Sequence, residues 1–177
     1  DRFLTNWTSI SININQFHLL CCSWRHCIVD DSHFITHKDV MFELDHRLDN
    51  DSEFIADWGD FSIRLIKDER FFWLLIIPRL TGVTEWHELP DKHATTLTKL
   101  ISYLSKQIKL IDKADKINVA ALGNIVNQFH LHLIARHSGD AAWPGPVWGA
   151  GQAVPLLVDT QDFRTKAVRK LLADFSS

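Results

Sequence analysis

Two stretches in the first half of the chain have the hydrophobic patterns of strands. In residues 62–67 (SIRLIK) apolar and polar side chains alternate, which predicts a half-buried strand. Residues 71–78 (FFWLLIIP) form a continuous apolar run closed by a proline, which is typical of a central strand. Because only a short polar break separates the two runs, we predict that they pair as a hairpin.

Helical periodicity occurs twice in the remaining sequence. Between Asp91 and Ile111, leucine and isoleucine recur at steps of three and four residues, which predicts an amphipathic helix over that range. A second amphipathic helix is predicted near the C terminus, from Phe163 to Phe175, because apolar residues recur there at similar steps. These two are the main helices that the pattern predicts.

Further strands and a long loop are predicted between the two helices. Residues 117–122 (INVAAL) and residues 126–136 have the patterns of strands, with Gly123–Asn124 as the turn between them. Residues 138–151 are rich in glycine, proline and tryptophan and are predicted to be a loop. The order of strands and helices predicts an α+β fold.

Composition places the chain among ordinary folded proteins. Its 177 residues are 46% hydrophobic and 23% charged, which suits one domain with a real core and excludes wholesale disorder. A net charge of −3 is not the strongly basic balance of nucleic-acid-binding proteins. The sequence has no run of 18 apolar residues, and 3 cysteines do not make a disulfide scaffold. We therefore expect a cytoplasmic protein that binds neither a nucleic-acid polymer nor a membrane.

The first forty residues differ from the rest in composition. Residues 1–40 contain no Ala, Gly, Pro, Glu or Met, and Met41 is the only methionine of the chain. This favours a natural start at Met41, with residues 1–40 as upstream sequence that is not native; the alternative is a native N-terminal extension of atypical composition. We predict the folded domain over residues 41–177.

A group formed by Cys21, Cys22, His26 and Cys27 matches no established metal-ligand spacing.

Candidate chemistry is concentrated in residues 128–134, which read Gln-Phe-His-Leu-His-Leu-Ile. Side chains alternate between the two faces of a strand, so Gln128, His130 and His132 are predicted to share one face. The intervening apolar side chains are predicted to pack against the helix at 91–111. Because buried polar groups must find partners, two imidazoles and an amide on one face of a core strand require an explanation.

Three interpretations of His130 and His132 remain open from the residues alone. Both imidazoles can be structural, hydrogen-bonded to backbone or water. They can bind a metal, which needs a third ligand; the remaining histidines after Met41 are His46, His87, His93 and His137. They can also perform phosphoryl or nucleotidyl transfer, with one imidazole as nucleophile and its neighbours as hydrogen-bond donors.

The segment 128–134 resembles the histidine triad (HIT) motif, His-φ-His-φ-His-φ-φ, with glutamine in place of the first histidine. The resemblance includes the Gly123–Asn124 turn, the apolar strand that ends at Pro78–Arg79, and Trp143–Pro144 downstream. It covers roughly residues 45–150. It implies a five-stranded antiparallel sheet with two main helices, in a protein that often forms homodimers.

The same resemblance implies a nucleotide phosphohydrolase or nucleotidyl transferase acting at an α-phosphate, with dinucleoside polyphosphates or nucleoside phosphoramidates as substrates. His130 would be the nucleophile that forms a covalent nucleotidyl-histidine, and His132 would bind a phosphate oxygen. Asp68 would contact the ribose and Asn124 the phosphates. No metal or other cofactor is required by this chemistry.

Gln128 is the departure from the motif. Glutamine donates a hydrogen bond but cannot transfer a proton. Either the leaving group needs no acid, as with a polyphosphate, or the protein is a non-catalytic nucleotide-binding module. We favour a working enzyme in which Gln128 assists catalysis as a donor; a metal-dependent enzyme using His130 and His132 is the further alternative.

Among the tryptophans, Trp73 is expected to pack in the core, whereas Trp143 and Trp148 are candidates for the pocket rim.

Overall fold

The computed structural model describes residues 41–175. The predictions for residues 1–40, including the group formed by Cys21, Cys22, His26 and Cys27, lie outside the described residues. The described chain forms a five-stranded antiparallel sheet in the order β1-β2-β3-β5-β4, with three α-helices and one 3-10 turn. The elements are α1 (His46–Asp51), β1 (Ser52–Trp58), β2 (Phe61–Ile66), β3 (Trp73–Pro78), the 3-10 turn (Trp86–Glu88), α2 (Asp91–Ile111), β4 (Lys116–Ala120), β5 (Leu131–Arg136) and α3 (Val158–Asp174). The predicted α+β class is confirmed.

The predicted hairpin is present as β2 and β3. The two strands pair antiparallel with Phe61 opposite Pro78 and Ile63 opposite Ile76. Every residue of β3 is buried, because β3 has β2 on one side and β5 on the other and both faces of the sheet are covered there. This explains the continuous apolar run in its sequence.

The main core lies between one face of the sheet and the helices α2 and α3. The predicted helix at 91–111 is confirmed, and its apolar stripe of Leu97, Leu100, Leu104 and Ile108 is fully buried. The apolar side chains that alternate with the two histidines pack into this core, as predicted; they are Phe129, Leu131 and Leu133. The opposite face of the central strands is therefore left for other contacts.

The C-terminal helix begins earlier than the apolar pattern predicts. The structure places α3 over Val158–Asp174, whereas the pattern placed its first residue at Phe163. Phe163 is 57% exposed and is not a core residue. The first turns of α3 carry few buried side chains, so hydrophobic periodicity could not find them.

Two elements near the start of the domain were missed from the sequence. α1 is only six residues long and buries one side chain, Leu48. β1 is an edge strand whose pairing with β2 shifts between Phe54 and Ala56, which breaks the alternation of buried and exposed positions. Short or irregular elements of this kind lack the periodic signal that the longer elements have.

The predicted strand at 126–136 is wrong in its first part. β5 begins at Leu131, and residues 126–130 lie outside the strand ladder. Instead, the backbone N–H of Phe129 donates to the carbonyl of Val83 at 3.0 Å. His130 therefore immediately precedes β5, and His132 lies within it.

Among the described residues, no helix is long and apolar enough to cross a membrane.

Candidate functional site

A cavity of about 650 Å³ lies on the face of the sheet opposite α2. Trp73 and Leu75 of β3 and His132 of β5 form its floor, and His130 lies beside them. Its walls come from α1, from the loops before β3 and β5, and from residues 147–157, which we call the strap; among the wall residues are Arg47, Leu48, Ile66, Asp68, Asn124, Val126, Val147 and Trp148. The lining is mostly apolar around two imidazoles, as in many small-molecule sites.

His130 has a defined tautomer. Its Nδ1 lies 2.7 Å from the backbone carbonyl oxygen of Gln128. Because a carbonyl only accepts hydrogen bonds, Nδ1 must carry the proton and donate it. In the neutral ring, Nε2 is then unprotonated and keeps its lone pair. The ring is 7% exposed and lines the cavity, so a bare imidazole nitrogen is available to a bound molecule.

His132 has the opposite tautomer. The indole N–H of Trp73 donates to Nδ1 of His132 at 2.9 Å. Because the indole only donates, Nδ1 must be unprotonated, and the neutral ring carries its proton on Nε2. Burial, and secondly the nearby His130, lower the pKa of His132 to about 3. The ring centroids of the two histidines lie 4.8 Å apart, so one cavity contains one acceptor and one donor nitrogen.

Gln128 does not line this cavity. Its Oε1 accepts from the backbone N–H of Asp45 at 3.0 Å, and its Nε2 donates to the carbonyl of Glu43 at 2.8 Å. Both ends of the amide are thus occupied by the segment that leads into α1, which carries Arg47 and Leu48 into the cavity wall. The geometry gives no support to the predicted role of Gln128 as a donor in catalysis and assigns it to holding the wall.

Asp68 lines the cavity, but its carboxylate already has partners. It accepts from the guanidinium of Arg70 at 2.7 Å and from the backbone N–H of Val154 in the strap at 3.3 Å. Burial would raise the pKa of Asp68, but the hydrogen bonds from Arg70 and Val154 outweigh it and the pKa is lowered. Arg70 in turn donates to the carbonyl of Ala150 at 2.7 Å. The pair therefore ties the β2–β3 loop to the strap.

The β2–β3 loop is also fixed from the other side of the sheet by α3. The guanidinium of Arg164 donates to the carbonyl of Phe71 at 3.0 Å and to that of Glu69 at 3.1 Å. Burial lowers the pKa of Arg164, and these carbonyls satisfy its buried donors. The last helix thus helps to position the loop that carries Asp68.

The histidines considered as a third metal ligand are not brought to His130 and His132. His93 contacts Asp60 and His137 contacts Asp112, while His46 and His87 are exposed. Within residues 41–175, no group of three or more His, Cys, Asp or Glu side chains is arranged to hold a metal ion. The metal interpretation therefore lacks a third ligand among these residues.

Comparison with known proteins agrees with this geometry. The family model of the HIT domain matches residues 47–139, more than half of the chain. Three crystal structures of histidine triad proteins are similar over nearly their whole length. That from Marinobacter aquaeolei VT8 is 38% identical with a TM-score of 0.74, covering 77% of this chain and 99% of that one. That from Bradyrhizobium japonicum is 39% identical with a TM-score of 0.72, covering 75% and 98%. That from Sinorhizobium meliloti 1021 is 38% identical with a TM-score of 0.71, covering 73% and 96%. No curated protein sequence matches the chain.

The chain belongs to the HIT family. Membership places it in a superfamily of nucleotide-binding hydrolases and transferases. Within the HIT domain, the structure brings His130, His132, Asp68 and Asn124 to one cavity, whereas Gln128 lies outside its lining.

Sequence reasoning missed the partner of His132. Trp73 was assigned to core packing, yet its indole N–H is the group that fixes the His132 tautomer. On the ladder, His132 lies opposite Leu75, so Trp73 is its diagonal neighbour on the same face. Only the register between β3 and β5 reveals this contact. Trp148, a rim candidate, does line the cavity and packs edge-on against His132 at 5.0 Å between ring centroids.

Replacing Gln128 with alanine is expected to lower the free energy of unfolding by about 1–2 kcal/mol, because the N–H of Asp45 and the carbonyl of Glu43 lose their partner. Urea titration followed by circular dichroism measures the change. Asn127→Ala is the control, since Asn127 is an exposed neighbour outside the cavity lining. Equal stability of the two variants would contradict the role of Gln128 in holding the wall.

The low pKa of His132 predicts a stability change with pH. Below the ordinary value of 6.5 the unfolded chain binds a proton that the folded protein accepts only near pH 3, so stability falls as the pH drops through this window. When the pH falls from about 7 to 5, the free energy of unfolding of His132→Asn is expected to decrease by about 2 kcal/mol less than that of the unsubstituted protein. Unfolding titrations across this range measure it. Exposed His87→Asn should follow the parent profile, and a parallel profile for His132→Asn would rule out the burial effect.

Proposed function

We propose that the protein is a nucleotide phosphohydrolase or nucleotidyl transferase that acts at an α-phosphate through a covalent nucleotidyl-His130 intermediate. The observation that supports this most directly is the hydrogen bond between Nδ1 of His130 and the carbonyl of Gln128 at 2.7 Å. It leaves Nε2 of His130, which lines the cavity, without a proton in the neutral ring, as a nucleophile requires. A neutral imidazole in this tautomer can attack phosphorus without first giving up a proton.

In the first step, Nε2 of His130 forms a bond to the α-phosphorus while the bond from phosphorus to the leaving group breaks. The electron pair of that bond departs with the leaving group. The imidazole becomes positively charged, and its Nδ1–H remains on the carbonyl of Gln128, which stabilises the developing charge. Splitting the displacement into two steps is the usual advantage of covalent catalysis.

In the second step, a water molecule or another acceptor attacks the same phosphorus and the bond to Nε2 breaks. The electron pair returns to His130, which is again neutral with its proton on Nδ1. When water attacks, its oxygen becomes part of the nucleoside monophosphate, and the proton it loses goes to solvent. A hydrolase transfers the nucleotidyl group to water and a transferase transfers it to another acceptor; the other parts of the scheme are the same.

Binding of the nucleotide is proposed to use the remaining cavity groups. The Nε2–H of His132 is the donor suited to a phosphate oxygen, because Trp73 occupies the other nitrogen of the ring. Asn124 and Asp68 line the same cavity; Asn124 is proposed to contact the phosphates and Asp68 the ribose. The apolar walls suit a base. No cofactor takes part in this scheme.

Replacing His130 with alanine is expected to abolish cleavage of a dinucleoside polyphosphate by at least about a thousandfold, because the variant has no atom to form the covalent intermediate. Chromatography of the nucleoside monophosphate released from diadenosine triphosphate measures the rate, and mass spectrometry of the denatured protein detects the nucleotidylated form. His87→Ala is the matched control, because His87 is exposed and does not line the cavity. Full activity in His130→Ala would exclude the mechanism.

The same assay in EDTA separates the alternatives. Cleavage that persists in the chelator supports covalent catalysis by His130. Nucleotide binding without cleavage would identify a non-catalytic nucleotide-binding module, and activity lost in the chelator and restored by metal would identify a metal-dependent enzyme. The cytoplasmic location stays a prediction.

A homodimer is proposed for the assembly, formed by pairing of β4 strands. Among residues 41–175, β4 is an edge strand that pairs with β5 alone, and Val119 on it is 45% exposed. Exposed edges of this kind are templates for strand addition. A closed two-fold pair would cover both edges at once.

Light scattering at micromolar concentration is expected to give the mass of two chains. Val119→Lys should shift the protein towards one chain, because it places a charged side chain from each chain in the proposed interface. Val158→Lys on α3 is the control, since Val158 is exposed and lies away from this edge. The mass of a single chain for the unsubstituted protein would contradict the dimer.

A further inference from the structure

The proposed mechanism leaves open what protonates the leaving group, and the further inference rests on that mechanism. An amine or alkoxide needs a proton as its bond to phosphorus breaks, whereas a phosphate departs as a stable anion. A general acid in the cavity would be required in the first case only. The cavity groups therefore determine which substrates can react.

The two histidines are both unsuited to be that acid. The proton of His130 is on Nδ1, where it is bound to the carbonyl of Gln128. His132 is held neutral, because an imidazolium would carry a proton on Nδ1, where the indole N–H of Trp73 already points. Its remaining Nε2–H belongs to a neutral ring, which donates hydrogen bonds but does not give up its proton at ordinary pH.

The other titratable groups of the lining are engaged or basic, except for Asp51, which is exposed to solvent. Lys67 donates to the carbonyl of Asn50 and contacts Glu53 at 3.1 Å. Arg47 and Arg70 are guanidinium groups, which do not release protons, and each is paired with a carboxylate. Asp51, at the exposed end of α1, and Asp68, bound to Arg70, complete the lining groups that titrate. The amide of Gln128 lies outside the lining and cannot transfer a proton in any case.

We propose that the hydrogen bond from Trp73 fixes His132 as a donor that cannot act as an acid, and that the site is thereby selective for nucleoside 5′-phosphoanhydrides over phosphoramidates. With an anhydride, Nε2 of His130 bonds to the α-phosphorus, the phosphorus–oxygen bond breaks, and the leaving phosphate takes the electron pair as an anion. With a phosphoramidate, the same step would release an amide anion, because no cavity group supplies the proton. Trp73 is a positioning residue in this scheme: it acts through His132.

Two substrates with the same adenosine separate this inference from the proposed function. Diadenosine triphosphate and an alkylamine phosphoramidate of adenosine 5′-monophosphate differ in the leaving group alone at the reacting phosphorus. We expect kcat/KM to favour the anhydride by about 10²–10⁴-fold, the usual contribution of a general acid. Cleavage of both at rates within about tenfold would overturn the selectivity and leave the proposed function standing. If neither is cleaved, the proposed function fails and the selectivity fails with it.

The role of Trp73 is tested by Trp73→Phe, which keeps an aromatic ring and removes the N–H. Nitrogen-15 NMR of the His132 ring should show an unprotonated Nδ1 and a protonated Nε2 in the unsubstituted protein. In Trp73→Phe we expect a mixture of tautomers and a smaller preference for the anhydride, because Nδ1 is free to take a proton. Trp148→Phe is the matched control, since Trp148 contacts the same ring edge-on and should leave the tautomer unchanged. An unchanged ring signal and substrate preference in Trp73→Phe would refute the role of Trp73.

Discussion

The hydrogen bond from His130 to the carbonyl of Gln128 determines which nitrogen faces the cavity, and it exists because the chain leaves the sheet before β5. Carbonyls within a strand are used by the ladder. Residues 126–130 lie outside that ladder, so the carbonyl of Gln128 is free to accept from the ring two residues later. Because residues 126–130 leave the sheet, β5 is shorter than predicted, and the carbonyl that fixes the tautomer of His130, the proposed nucleophile, is available.

Sequence patterns predicted the parts of the fold that have strong periodicity. The helix at 91–111, the β2–β3 hairpin and the apolar side chains that alternate with the histidines all follow from periods of 3.6 or 2 residues. α1 and β1 were not predictable in this way, because α1 buries only Leu48 and the β1 ladder changes register at Phe54. Phe163 misled the assignment of α3, since a single exposed aromatic residue looks like part of a buried stripe.

The candidate site was predictable wherever the spacing along one strand decides the geometry. His130 lies just before β5 and His132 within it, yet both reach the same cavity, as the two-residue spacing along a strand would place them. The contact of Trp73 with His132, which lie 59 residues apart in sequence, depends on the register between β3 and β5. The placement of Gln128 depends on where residues 43–45 pass, which no local pattern encodes. Neither the contact of Trp73 with His132 nor the placement of Gln128 could therefore be predicted without the tertiary structure.

The replacement of the first motif histidine by Gln128 leaves the orientation of His130 intact. The group of Gln128 that contacts His130 is its backbone carbonyl, and every residue type supplies one. Its side chain is committed to Asp45 and Glu43, so exchanging that side chain alters the wall of the cavity and leaves the tautomer of His130 unaffected. The departure from the motif therefore changes a support of the cavity wall, while His130, the proposed nucleophile, keeps its hydrogen bond to the backbone of residue 128.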